Sequence, residues 1–120
     1  MLTDYFHLGD SGEKRIFISN LLHDIKYEKD IGALYEKYGI ADWSGISDGD
    51  RLLDSCILAT YVEQAFHSRG LSAPDWVRDK RLILETPHFI GFKAPDLVLH
   101  ATQACLNHNV FMSRGDFEVV

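Results

Sequence analysis

Residues 48–69, DGDRLLDSCILATYVEQAFHSR, decide the fold of this chain. Within them Leu52, Leu53, Cys56, Ile57, Leu58, Ala59, Val62, Ala65 and Phe66 recur at helical spacing and spread around most of the circumference instead of forming one stripe. A helix with so little polar face must be packed on several sides. Ser47 stands where an N-cap is expected and Gly70 where a helix would stop. The stretch therefore reads as a central helix with neighbours arranged around it.

Upstream, Asp10 followed by Glu13 has the spacing of a capping box, and Ile18, Leu21, Leu22 and Ile25 repeat at helical intervals. They predict a helix over 12–27. Ile31, Leu34, Tyr35 and Tyr38 predict a second, shorter helix closed by Gly39, and the Asp-, Ser- and Gly-rich residues 41–49 read as a surface loop. Downstream, Ser72 as a cap and Pro74 in the first turn predict a fourth helix. It would set Trp76, Val77 and Ile83 against the third and end at Thr86-Pro87. A last helix is expected from Pro95, with Ala94, Leu97, Val98, Ala101 and Cys105 as its inner stripe. The apolar tail, Val110-Phe111-Met112 and residues 117–120, would dock as a strand pair or extended cover. The expected architecture is all-α: a single domain over 1–120, a compact bundle of about five helices around residues 48–69, and an irregular or extended C-terminal tail.

Composition limits the partners. Twelve Lys and Arg against eighteen Asp and Glu give a net charge of −6, which repels nucleic acid and anionic membranes. The densest basic stretch, Arg78, Lys80 and Arg81, is neutralised by Asp75, Asp79 and Glu85. Residues 30–40 read like the first helix and turn of a helix-turn-helix. The segment that follows supplies Asp42, Ser44, Ser47 and Asp48 instead of base-reading cations. Two cysteines, Cys56 and Cys105, fall at apolar helical positions and read as buried thiols of a reducing compartment. With no basic and apolar leader at the N-terminus and no long apolar run, the expected location is the cytoplasm.

Two polar strips carry the chemistry. On the expected last helix, Asp96, His100, Gln103 and Asn107 follow at i, i+4, i+7 and i+11 and would line one side of it as a binding strip or a solvated face. On the third helix, Cys56, Thr60, Glu63 and His67 share a face; Glu63 and His67, joined by His100 or His108 from the last helix, could act as acid, base or metal ligands. A carboxylate beside an imidazole on a largely apolar helix is more commonly a satisfied polar contact. There is no His-Glu-x-x-His, paired Cys-x-x-Cys, phosphate loop or Gly-x-Ser-x-Gly, so neither metal nor cofactor is expected. Arg114-Gly115-Asp116 reads as a turn.

The order Leu71-Ser72-Ala73-Pro74-Asp75-Trp76-Val77, Leu84, Pro87-His88-Phe89 and Asn109-Val110-Phe111-Met112 resembles a C-terminal module of small uncharacterised bacterial proteins. Some of these look like members of toxin-antitoxin gene pairs. The resemblance covers about the last fifty residues, implies a bacterial origin, and brings no catalytic residues with it. The expected function is a non-enzymatic protein-binding module, antitoxin-like, with a basic partner and with Trp76, Phe89 and Phe111 as anchors. The alternative is a small metal-dependent hydrolase built on Glu63, His67, His100 and His108.

Overall fold

The computed structural model describes residues 2–39, 49–90, 97–98 and 101–117. Among them are four α-helices, α1 (Ser11–Tyr27), α2 (Ile31–Tyr38), α3 (Gly49–Ser68) and α4 (Gln103–His108). Two short strands, β1 (His88–Phe89) and β2 (Val110–Phe111), pair in parallel with His88 opposite Val110 and Phe89 opposite Phe111. The chain is predominantly helical, as its periodicity predicts, with a small sheet that the periodicity does not show.

The first two helices start on side-chain caps. The Asp10 carboxylate accepts the Glu13 backbone N–H at 2.8 Å, and Glu13 reaches back to accept the Gly9 N–H at 3.4 Å. Asp30 caps α2 by accepting from Ala33 N–H at 3.2 Å, and Gly39 closes it. Ile18, Leu21, Leu22 and Ile25 of α1 are buried, the predicted inner face of that helix, and of the face predicted for α2 Leu34 and Tyr38 are buried while Ile31 and Tyr35 are partly buried.

The central position of α3 follows from its own residues. Positions 58–63 are all buried, more than one full turn, so no side of the helix meets solvent there. It packs against α1, α4, β2 and the short 3-10 turns. Its C-terminus closes in a Schellman arrangement: Leu71 N–H donates to the Phe66 carbonyl, Gly70 N–H to the His67 carbonyl, and Gly70 takes φ 76°. The expected start at Asp48, the Ser47 cap and the loop before it lie outside the described residues.

Beyond Gly70 the structure corrects the expected bundle. No fourth helix of the predicted length forms; Asp75–Arg78 and Lys80–Leu82 are two 3-10 turns separated by Asp79 in an extended conformation. Asp79 accepts the Arg81 N–H and restarts the chain, and Leu84 N–H then donates to the His108 carbonyl instead of a helical partner. Losing the helical phase moves the inward position by one: Leu82 is fully buried and Ile83 is about half exposed. Trp76 is tied to the first half of the chain, its indole N–H donating to the Tyr38 carbonyl at 2.6 Å.

The expected helix from Pro95 is also corrected. Leu97 and Val98 are helical and Ala94 to Asp96 lie outside the described residues, but Ala101 and Thr102 are not helical. Thr102 is extended, its hydroxyl accepts the Cys105 N–H, and α4 begins anew at Gln103. Of the predicted stripe, Leu97 and Cys105 are buried while Val98 is exposed. After six residues Asn109 takes a left-handed φ of 59°, ends α4 and delivers the chain into β2.

Candidate functional site

The buried carboxylate of α3 and the buried imidazole of α4 meet. Glu63 Oε1 lies 3.0 Å from His108 Nε2, and Glu63 Oε2 accepts from Asn107 Nδ2 at 2.6 Å. On its other side the His108 ring places Nδ1 2.7 Å from the Leu82 carbonyl oxygen. A carbonyl only accepts, so Nδ1 carries a proton, and the Nε2 to Oε1 contact holds one more. Burial by itself raises the Glu63 carboxyl, but hydrogen bonds from His108 and Asn107 and the charges of His108 and His67 outweigh it. The net effect is to hold the group below its ordinary value.

This pair is closed. Both carboxylate oxygens and both ring nitrogens are engaged, and the two side chains are 4% and 2% exposed. What the arrangement does is mechanical: it fixes α4 and the 82–84 segment onto α3. Further along the same α3 face, Thr60 donates its hydroxyl to the Cys56 carbonyl at 2.8 Å, and burial pushes the Cys56 thiol up to about 11. His67, the remaining member of that strip, is exposed. Among the described residues no three His, Cys, Asp or Glu side chains converge so as to hold a metal ion.

Thr102 interrupts the helix on which the spacing of the expected last-helix strip depends, so among the described residues only its Gln103 and Asn107 half lies on one helix. Gln103 and Asn107 remain one turn apart on α4, with Gln103 Nε2 donating to Asn107 Oδ1 at 2.8 Å and Asn107 passing on to Glu63. Asp96 and His100 lie outside the described residues. The three aromatic anchors divide. Phe111 is buried, Trp76 is half-buried against α2, and Phe89 is exposed with its ring stacked on Phe111 at 5.4 Å and 24°.

A concavity lies elsewhere among the described residues. A groove of about 860 Å³ runs between α1, the C-terminal half of α3 and the start of α4, lined by Leu22, Lys26, Gln64, Ser68, Arg69 and Phe117 among others. Of its lining, Gln103 belongs to the strip singled out from sequence and Leu22 and Ala101 to predicted inner faces; Lys26, Gln64, Ser68, Arg69 and Phe117 are not marked as site residues by the sequence. Lys26, Ser68 and Arg69 sit at the ends of helices, where polar residues read as solvated caps, and Phe117 belongs to a tail with no periodicity. Only the packing of α1 beside α3 puts them together. Comparisons with protein-family models, curated proteins and solved structures give no match.

Proposed function

We propose that this protein is a non-enzymatic protein-binding module of the cytoplasm, antitoxin-like in that it acts by covering part of a basic partner. The observation that carries the reading is Phe89. The residue is 37% exposed while its ring stacks on the buried Phe111, an arrangement in which an aromatic side chain can anchor an interface. Because His88 N–H donates to the Asn109 carbonyl and Ile90 N–H to the Phe111 carbonyl, the N–H and C=O of Phe89 face away from β2. An incoming extended segment can add there as a further strand, with Phe89 as its contact. The net charge of −6 favours a basic partner through long-range attraction. A hydrolase built on Glu63 and His108 finds no support in a pair whose every polar atom is engaged and which is sealed from solvent.

The test compares the tagged protein with its Phe89→Ser variant, each purified from the native host at moderate salt. One basic protein should co-elute with the wild type in near-equal amount and disappear with Phe89→Ser, a variant that should stay folded while losing a ring pair worth about 0.5–1.5 kcal/mol. Equal recovery with both, an acidic partner, or no stoichiometric partner overturns the reading.

A further inference from the structure

The described lining of the groove between α1 and α3 is opposite in sign to the molecule as a whole. In a chain of net charge −6 its described lining carries two cations, Lys26 and Arg69, and no carboxylate. Arg69 is held in place: its Nη1 donates at 2.9 Å to the Ile25 carbonyl, one of the last four of α1 and so without a partner in its own helix. That contact uses one of five guanidinium donors, and the Arg69 side chain makes no other hydrogen bond or ion pair among the described residues. Beside it Ser68 Oγ accepts from Gln64 Nε2 at 3.0 Å, which leaves the hydroxyl proton to donate. Leu22, Ala65 and Phe117 give the same groove apolar walls.

We propose that this groove is a binding site for a small amphiphilic organic anion, a carboxylate carried on an apolar body. The planar guanidinium fork of Arg69 matches a carboxylate, and Lys26 and the Ser68 hydroxyl add charge and a third donor. The apolar body lies against Leu22, Ala65 and Phe117. The volume, about 860 Å³, falls in the ~300–1,000 Å³ range of small-molecule sites. This site is separate from the Phe89 face and does not depend on the protein-binding reading.

The probe is sodium 2-naphthoate, titrated into isotope-labelled protein and followed by backbone amide NMR, with neutral 2-naphthalenemethanol as the uncharged comparison. Amide shifts should centre on residues 64–69 and on Lys26. Naphthoate should bind at least about tenfold more tightly than the alcohol, equivalent to ~1.4 kcal/mol. Lys26→Gln should weaken naphthoate binding about three- to tenfold and leave the alcohol unchanged. Arg69→Gln also removes a helix cap and can lower stability, so Ser68→Trp is the second variant; at an exposed helix end it blocks the groove and should abolish binding without moving the thermal midpoint. Equal binding of the alcohol, shifts centred elsewhere, retained binding in Ser68→Trp, or no binding at about 5 mM naphthoate, weaker than any ~1 mM site, overturns the assignment.

Discussion

Glu63 is the residue whose environment most changes its meaning. In sequence it is one polar position on a helix; in the fold it is 3% exposed and holds His108 and Asn107. Removing one partner of a buried pair leaves the other uncompensated, so Glu63→Ala should cost about 3–5 kcal/mol in urea unfolding at neutral pH. Glu63→Gln is close in shape and can donate to a neutral His108 ring while accepting from Asn107, so it should cost much less. The pH dependence separates them further. The folded carboxyl titrates below its ordinary value of 4.5, so the unfolded chain takes up the proton first as pH falls. The stabilisation is complete above that value and is lost as pH drops through the lower folded one. Unfolding free energy measured from pH 6 down to about pH 3 should therefore show an acid limb that Glu63→Gln makes shallower. An unchanged slope would mean that Glu63 takes no part in it. Cys56, with its thiol raised by burial, should resist thiol reagents in the native state and react on unfolding.

Helix ends, more than helix interiors, determine how these elements are joined. Gly70 needs its positive φ and has open space where a Cβ would go, so Gly70→Ala should cost about 1 kcal/mol from backbone conformation alone. At Gly39 the φ is ordinary, but a Cβ would press into the Tyr35 carbonyl oxygen. Gly39→Ala should therefore destabilise more than Gly70→Ala, and a reversed order in chemical denaturation would count against these two end geometries. Asn109 combines a left-handed φ with a side-chain bond from Nδ2 to the Leu84 carbonyl at 3.0 Å. Asn109→Gly should lose only that bond, about 1 kcal/mol, whereas Asn109→Ala also carries the backbone strain and should cost about 2 kcal/mol. The ends at Asp10, Gly39 and Gly70 are legible because each satisfies its own helix, whereas the Asp30 cap was not read from the sequence. The Thr102 cap was missed because the sequence around it continues a helical pattern, and only the competing Cys105 N–H bond breaks that pattern.

For the molecule as a whole, the central helix is the organising fact, and the proposed partner and ligand sites lie on surfaces set by what packs around it. Replacing Phe89 should affect partner capture and not naphthoate binding, while Ser68→Trp should do the reverse. One variant abolishing both would show that the two surfaces are not independent. The sequence alone determined the helical character, the buried face of α1, the all-round burial of α3 and the burial of both cysteines, because each follows from local periodicity or from the hydrophobicity of a single side chain. Only the tertiary structure decided three things: the pairing of Glu63 with His108, forty-five positions apart, the parallel match of β1 with β2, and the joining of Lys26 to Arg69 across one groove. These depend on long-range contacts in which a backbone carbonyl, a turn or a neighbouring helix supplies the partner, and no local pattern in the chain encodes which partner that will be.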